Sequence, residues 1–243
     1  MSGRPAVWAL VPARGGSKSV PYKNLLPLAG RPLLDYGVRA TQASGRIDRI
    51  IGSTEDARIA ERFKSLGVEV DDRPARLAAD DTPVAEVAVD MLKRLGGNKP
   101  PDILLLVQPT SPFLLPEHIT ALLQRMTDDP QARSGQTVSP CPHNHHAWNQ
   151  RVVKDGRVGF IFAEERRRGY NKQVKPKHWI FGNLVGARTA ALLAGEGFFA
   201  EPSAAVEIAS PYDFDLDTAE DVKVAEALLS GGVVELPHMR SKN

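Results

Sequence analysis

Short, nearly uninterrupted apolar runs alternate along the chain with segments whose apolar residues recur at helical spacing. Runs without polar alternation are typical of strands that are covered on both faces, as in a parallel sheet. Three such runs predict strands at 6–11 (AVWALV), 50–52 (IIG) and 103–107 (ILLLV). The periodic segments predict helices at 33–44, at 56–66, at 84–95 and from Pro116 onward, the first three ending at glycine.

This repeated order of strand, loop and helix predicts right-handed βαβ units. Such units build an α/β fold with a doubly wound, mostly parallel sheet of the Rossmann-like kind. In that architecture ligands bind beyond the carboxyl ends of the strands. The loops that follow such ends are 11–24 (VPARGGSKSVPYKN), 53–56 (STED) and 108–112 (QPTSP).

The pattern changes between residues 135 and 180. A strand pair around VVKDGRVGFIF, with Asp155-Gly156 as its turn, is followed by the basic stretch RRRGYNKQVKPK. The segment holds too few apolar residues for a core of its own. We therefore predict a single domain over residues 1–243 in which 135–180 is an inserted hairpin arm. Beyond it, WIFGNLV predicts a strand that returns to the sheet, and 218–230 predicts a last helix.

Composition narrows the possible partners. The chain has 243 residues with 31 Lys and Arg against 29 Asp and Glu, a net charge of +2, which argues against general binding to nucleic acid. The single cysteine, Cys141, can form neither an internal disulfide nor a cysteine-rich zinc site, as is typical of a reducing compartment. The first apolar run is too short for a signal or membrane segment. We expect a cytoplasmic protein that binds no membrane.

The loop after the first predicted strand carries the clearest chemistry. Arg14, Lys18 and Lys23 surround the pair Gly15-Gly16. Bare backbone N–H groups and cations bind phosphate oxygens, and glycine allows the close approach that this requires. Neither the P-loop pattern nor the dinucleotide fingerprint is present. The sequence therefore predicts a phosphate site of another kind, with a solvated turn as the alternative.

Five motifs in order resemble the CMP-sialic acid synthetases, also called acylneuraminate cytidylyltransferases. They are LVPARGGSKSVPYKNLLPLAGRPLL, STED, RPARLAADDT at 73–82, QPTSP, and DFDLDTAEDVKVAEALL at 213–229. The resemblance implies a nucleotidyltransferase that joins CMP from CTP to a sialic-acid-like 2-keto sugar acid, with Mg2+, and releases pyrophosphate. It also implies a homodimer whose arm, residues 135–180, crosses to the partner's site.

The same resemblance assigns roles to individual residues. Fixed cations suit the charge that develops on phosphate oxygens during displacement, and an arginine beside a main-chain carbonyl can distinguish cytosine from uracil. The implied catalytic residues are Arg14, Lys18, Lys23 and Asp217. The implied nucleotide-binding residues are Ala13, Gly15, Gly16, Ser17, Asn24, Arg73, Ala79 and Thr82. The implied acceptor-binding residues are Gln108, Thr110, Ser111, Lys172 and Gln173.

Asp215 and Asp217 are the predicted metal ligands. In an extended segment both carboxylates face one side while Leu216 faces the core. Two hard oxygen donors suit Mg2+, which bridges to phosphate oxygens. The alternative is a helix start, in which Thr218 and Asp221 form a capping box and Asp217 is a charge near the N-terminus.

Departures from the family pattern leave the acceptor open. Leu114 stands where an arginine is common, and the segments NKQVKP at 171–176 and FGNLV at 181–185 match only in part. A phosphonate such as phosphonoformate is therefore the alternative acceptor. A protein of another class, a non-catalytic nucleotide binder or an RNA-binding protein using the basic arm, is a further alternative.

The histidines of HNHH form a weaker metal candidate. Alternation in a strand would place His143 and His145 on one side, with His146 opposite, but no third ligand has suitable spacing. The basic stretch that follows in the arm allows a solvated surface, recognition of an acceptor anion, or nucleic-acid binding. Its cations are Arg166, Arg167, Arg168, Lys172, Lys175 and Lys177.

Overall fold

A computed structural model describes residues 4–16, 21–169 and 172–240 of the chain. Its strands are β1 (Val7–Pro12), β2 (Pro27–Leu28), β3 (Arg31–Pro32), β4 (Arg49–Thr54), β5 (Glu69–Asp72), β6 (Ile103–Leu106), β7 (Ser134–Pro140), β8 (Arg151–Lys154), β9 (Arg157–Phe160), β10 (Trp179–Arg188) and β11 (Ser203–Glu207). Its α-helices are α1 (Leu33–Ala43), α2 (Ala57–Ser65), α3 (Val84–Leu95), α4 (Pro116–Asp128), α5 (Ala163–Arg168), α6 (Thr189–Leu193) and α7 (Ala219–Ser230). Among the described helices, none is long and apolar enough to cross a bilayer.

Seven strands form the central sheet in the order β11-β7-β10-β6-β1-β4-β5. The pairs β1–β4, β1–β6, β4–β5 and β7–β11 are parallel, whereas β10 runs antiparallel to both of its neighbours. The prediction of a doubly wound, mostly parallel α/β sheet is therefore confirmed.

The central strand β1 explains why the apolar runs lack alternation. Val7, Ala9 and Val11 lie in the buried cluster that includes side chains of α1, α2 and α4. Trp8 and Leu10 lie in a second cluster with side chains of α3 and α6. Because helices cover both faces of the sheet, every position of the strand must be apolar. The predicted helix at 84–95 matches α3, and the other three predicted helices agree with α1, α2 and α4 to within a residue or two at their ends.

The predicted bounds of the arm are wrong. Residues 134–140 form β7 and residues 179–188 form β10, and both strands belong to the central sheet. The segment outside the sheet is 141–178, which is called the arm below. Its hairpin is confirmed: β8 pairs with β9, and Asp155 and Gly156 have φ values of 51° and 72°, as a tight two-residue turn requires.

The strand interpretation of HNHH is also wrong. His143–His145 is a 3-10 helix, and His146 is buried, stacked on the His178 ring with 4.0 Å between centroids. The backbone N–H of Trp148 donates to Nδ1 of His146, and Nε2 lies 3.1 Å from the Pro176 carbonyl oxygen. Within the described ranges no group of three His, Cys, Asp or Glu side chains could hold a metal ion.

Close packing of α2 on β4 yields a test of the core. A Cβ added to Gly52 would overlap the ring of Phe63, which is fully buried. We expect Gly52→Ala to lower the free energy of unfolding by about 1–3 kcal/mol, measured by urea denaturation, because the ring has no free space to move into. Gly159→Ala is the matched control, since its Cβ would meet only a Val152 methyl at 3.8 Å. Equal stability of the two variants would contradict this packing.

Candidate active site

A pocket of about 270 Å3 opens at the carboxyl ends of β1, β5 and β6. It is formed by the loop after β1, the segment between β5 and α3, the start of α3 and the loop after β6. The structure thus brings together residues predicted from three separate stretches of sequence. Its lining comprises Pro12, Arg14, Asn24, Arg73, Leu77, Ala79, Asp80, Thr82, Val84, Val87, Gln108, Pro109 and Thr110.

The loop after β1 is fixed by its backbone. The N–H of Ala13 donates to the Ser53 carbonyl oxygen at 3.0 Å, and the Asn24 amide donates to the Arg14 carbonyl oxygen at 3.0 Å. A Cβ on Gly15 would lie 2.6 Å from Oδ2 of Asp56, so only glycine fits there. The buried residues Ala13 and Asn24 therefore support the loop whose predicted task is to meet phosphate.

Acidic side chains meet the predicted phosphate-binding groups. The N–H of Gly15 donates to Glu55 Oε1 at 2.8 Å, and the Arg14 guanidinium forms an ion pair with Asp80. The Arg14–Asp80 pair lines the pocket, and the bond between Gly15 and Glu55 fixes the neighbouring backbone N–H. The sequence motif STED contains Glu55, but its contact with the glycine loop depends on the parallel pairing of β1 and β4.

Arg73 lies at the back of the pocket with 7% of its surface exposed. Its Nε donates to Ser53 Oγ at 3.2 Å, and Nη2 donates to the Ser53 carbonyl oxygen at 2.7 Å. Burial lowers the pKa of Arg73, while the nearby carboxylates of Glu55 and Asp71 oppose that shift. An arginine pKa remains far above neutrality, so the pocket holds a buried, oriented guanidinium.

The acidic segment 213–217 joins the same edge of the sheet. The Leu216 N–H donates to the Thr110 carbonyl oxygen at 2.8 Å, and the Leu216 side chain is fully buried. Lys23 Nζ donates to the Leu216 carbonyl oxygen at 3.1 Å and lies 3.3 Å from Asp217 Oδ1. Lys23 therefore ties the loop after β1 to the acidic segment, and Asp215 and Asp217 flank a buried leucine as the alternation predicts.

The helix-start interpretation of the acidic segment is confirmed for Thr218 and Asp221, and the metal-ligand interpretation of Asp215 and Asp217 stays a prediction. Thr218 Oγ1 accepts from the Asp221 N–H at 3.3 Å, and the Asp221 carboxylate accepts from the Thr218 N–H at 2.7 Å, so the capping box exists. The Asp217 carboxylate takes no part in the box and is 75% exposed. Asp213 has a supporting contact, since its carboxylate accepts from Ser139 Oγ at 2.5 Å.

The pKa of Asp215 is raised by its surroundings. Although Asp215 has solvent-accessible surface, partial burial of its carboxyl is the main cause that raises its pKa, and the Asp217 carboxylate adds to the effect. Hydrogen bonds from the hydroxyls of Thr110 and Ser111, together with Lys23, oppose it. A carboxylate whose charge is destabilised by a neighbouring carboxylate is suited to a cation.

Behind this segment lies a polar contact that the sequence did not indicate. Asn183 Nδ2, buried at a bulge of β10, donates to the Tyr212 carbonyl oxygen at 2.8 Å and lies 3.0 Å from His118 Nδ1. Burial lowers the pKa of His118 to about 4, so its imidazole is neutral at pH 7. A neutral Nδ1 can accept from the amide, which orients Asn183 toward the segment that carries the aspartates.

Several predicted residues lie elsewhere. Ser17, Lys18 and the side chain of Lys172 lie outside the described part of the chain. Gln173 is exposed on the arm and is not among the described residues that line the pocket, and Ser111 is buried beneath it. Leu114, at the position where the family pattern commonly has an arginine, packs in the main core and is not among the described residues that line the pocket. Asn183, in the second altered segment, is buried as well.

The fold and the pocket define an α/β protein with an oriented set of cations and carboxylates at the carboxyl edge of its sheet. Residues 8–157 match the cytidylyltransferase family model, and the chain belongs to this family. The resemblance drawn from the five motifs is confirmed.

Individual proteins with similar sequences carry names that fit this family. The chain is 28% identical over 228 residues to the CMP-N,N'-diacetyllegionaminic acid synthase of Legionella pneumophila, covering 92% of this chain and 96% of that protein. It is 34% identical over 151 residues to the N-acylneuraminate cytidylyltransferase of Oncorhynchus mykiss, covering 62% of this chain but only 33% of that longer protein.

Solved structures share the fold. A CMP:2-keto-3-deoxy-manno-octonic acid synthetase complexed with CTP superposes with a TM-score of 0.72 at 17% identity, covering 93% of this chain and 99% of that one. The 4-diphosphocytidyl-2C-methyl-D-erythritol synthase of Anaerococcus prevotii superposes with a TM-score of 0.63 at 15% identity, covering 93% and 96%.

Proposed function

We propose that the protein transfers CMP from CTP to a hydroxyl of an acidic 2-keto sugar. One observation carries the proposal: Lys23 joins the glycine-rich loop to the Asp215–Asp217 segment beside a pocket lined by Arg14, Asn24 and Arg73. Phosphate-binding groups, a base-reading arginine and carboxylates thus converge at one edge of the sheet. The family and the relatives named above support the same activity.

The reaction balances as a displacement at the α-phosphorus of CTP. The acceptor oxygen forms the new bond to phosphorus, the bond to the β-phosphate oxygen breaks, pyrophosphate leaves, and the hydroxyl proton passes to solvent. In this proposal Arg14, Lys23 and the Gly15 N–H would face the phosphate oxygens on which negative charge accumulates. Positioning and charge stabilisation account for most of the catalysis, so no strong side-chain base is needed.

Asp215 and Asp217 are the residues that would hold Mg2+. Two carboxylates leave coordination positions for water and phosphate oxygens, which is the arrangement Mg2+ prefers. The effect of the Asp217 carboxylate on Asp215 and the 75% exposure of Asp217 fit a cation that arrives with the nucleotide. When bound, the ion would neutralise charge on the phosphate oxygens.

A sugar acid is the favoured acceptor. The Legionella relative, matched over almost its whole length, is named for N,N'-diacetyllegionaminic acid, and the CTP-bound structural neighbour is named for 2-keto-3-deoxy-manno-octonic acid. Burial of Leu114 and Asn183 removes two of the three reasons for expecting a phosphonate. Neither the phosphonate nor the RNA-binding alternative is favoured.

The arm is proposed as a contact between two copies of the chain. Both faces of the β8–β9 hairpin are exposed, and its cross-strand partners Val153 and Val158 are 71% and 65% exposed. Ile161 and Val174 add further exposed apolar surface on the arm. An isolated two-stranded hairpin is marginally stable in water, and contiguous apolar surface indicates an interface.

The first test is pyrophosphate release. With Mg2+ we expect release with CTP, not with UTP, ATP or GTP, and only in the presence of a sugar acid from a panel of N-acetylneuraminate, related nonulosonates, 3-deoxy-manno-octulosonate and phosphonoformate. Arg14→Ala should reduce turnover about 100-fold, because it removes one group that stabilises developing charge. Release with phosphonoformate alone would overturn the acceptor assignment, and silence with every pair would overturn the activity.

The metal proposal predicts unequal effects of two acidic residues. Asp217→Asn should reduce kcat/KM for CTP about 100-fold and weaken Mn2+ binding to the CTP complex, measured by electron paramagnetic resonance. Glu220→Gln, which removes an exposed carboxylate from the first turn of α7, is the matched control and should change neither. Unchanged Mn2+ binding in Asp217→Asn would exclude the aspartate as a ligand.

The interface proposal predicts a dimer that charge can dissociate. Wild-type protein should sediment as a dimer, and Val153→Glu combined with Val158→Lys should sediment as a monomer, because the new cross-strand ion pair preserves the hairpin while removing its apolar face. Val224→Lys, at an exposed valine of α7, should remain dimeric. A wild-type monomer at micromolar concentration, or a dimeric double variant, would refute this interface.

A further inference from the structure

A series of hydrogen-bonded polar groups stands directly behind Arg73, beginning with the buried Ser53 and Asp71 and reaching the surface at Arg94. Ser53 Oγ accepts from Arg73 Nε at 3.2 Å and donates to Asp71 Oδ2 at 2.8 Å. The other oxygen of Asp71, Oδ1, accepts from Arg94 Nη1 at 2.6 Å. Arg94 Nε in turn donates to Asp90 Oδ2 at 2.6 Å. An unbroken series of hydrogen bonds therefore runs from the pocket to the C-terminal half of α3.

The register of β4 with β5 brings these hydrogen-bonded groups together. Ser53 and Asp71 are direct partners in the parallel pair β4–β5, and Arg94 reaches them from the last turn of α3. The Asp71 side chain has no exposed surface and Ser53 is fully buried. A buried carboxylate is costly unless its oxygens are paired, and here both oxygens have donors.

The hydrogen bonds also restrict the guanidinium. Two N–H groups of Arg73, one on Nε and one on Nη2, bind the hydroxyl and the carbonyl of the same serine. Because both bonds go to the same residue, they fix the plane in which the guanidinium lies. The hydrogen bond to Asp71 is the main cause that raises the pKa of Arg94, so the Arg94 guanidinium remains ionised.

We propose that Ser53, Asp71 and Arg94 are positioning residues that hold Arg73 in the orientation in which it reads the nucleotide base, and that they thereby determine selectivity for cytosine over uracil. The inference rests on the proposed function, because it assumes that Arg73 meets the base of CTP.

The chemistry of the two bases explains why orientation matters. Cytosine N3 accepts a hydrogen bond, whereas uracil carries N3–H, a donor. A guanidinium free to turn could avoid that clash of donors. A guanidinium held by Ser53 cannot turn away. Uracil then leaves buried N–H donors without an acceptor, and it is rejected.

The test compares the affinities of CTP and UTP by titration calorimetry in the absence of acceptor. Ser53→Ala and Asp71→Asn should each weaken CTP binding and reduce the CTP/UTP affinity ratio about tenfold, the size expected for loosening one charge-assisted hydrogen bond. Glu69→Gln is the matched control, since it breaks the exposed ion pair of the same strand with Arg49 and should leave the ratio unchanged. Thermal unfolding of each variant separates lost stability from lost selectivity.

A double-mutant cycle with Arg73→Ala isolates the positioning role. In that background Ser53→Ala should change CTP affinity less than twofold, because its effect acts through the arginine. The inference is overturned if both variants keep the wild-type CTP/UTP ratio, or if the Ser53→Ala effect is equally large without Arg73. Failure of the proposed function looks different: wild-type protein would bind no CTP, or Arg73→Ala would bind it as tightly as wild type.

Discussion

Burial of β1 on both faces is the constraint on which the site depends. With helices packed against both faces, the strand cannot shift or turn without exposing an apolar surface to water, so the point where it ends is fixed. Its parallel neighbours β4 and β6 end at the same edge, and the loops after all three strands must therefore meet. Residues far apart in the chain, such as Trp8 and Arg49 or Val7 and Ile103, become neighbours because of backbone pairing alone.

Within that edge, opposite charges balance each other closely. Arg14 is paired with Asp80, Lys23 with Asp217, and the Gly15 N–H with Glu55. A phosphate ligand would therefore replace these acidic partners rather than bind to unpaired positive charge. Its binding free energy is the difference between the free energies of the ion pairs that it forms and those that it breaks. This local balance agrees with the small net charge of the whole chain, and it favours a ligand that brings its own cation.

How much of this could be predicted from the sequence depends on how local the determining interactions are. The strand β1 and the helix α3 follow from periodicity, and the residues of the pocket follow from motifs. The strand β7 was missed because its sequence, SGQTVSP, is polar and small. Its buried Ser134 and Ser139 bond to a carbonyl and a carboxylate from distant loops, and a Cβ on Gly135 would lie 2.7 Å from Met126.

The polar chain behind Arg73 could not be read from sequence for a related reason. Ser53, Asp71 and Arg94 lie on two strands and a helix, and their contacts depend on the register of β4 with β5 and on the reach of an arginine side chain. The difference between groups anchored in the sheet and groups on the arm also divides the proposed site into two parts. We propose that the nucleotide is read by Arg73 and other groups anchored at the edge of the sheet. The predicted acceptor residues are divided: Gln108, Thr110 and Ser111 follow β6 at that same edge, whereas Lys172 and Gln173 belong to the arm outside it. A change in the arm would therefore alter only one part of the proposed acceptor site, and it would leave the buried Ser53 and Asp71 behind the pocket undisturbed.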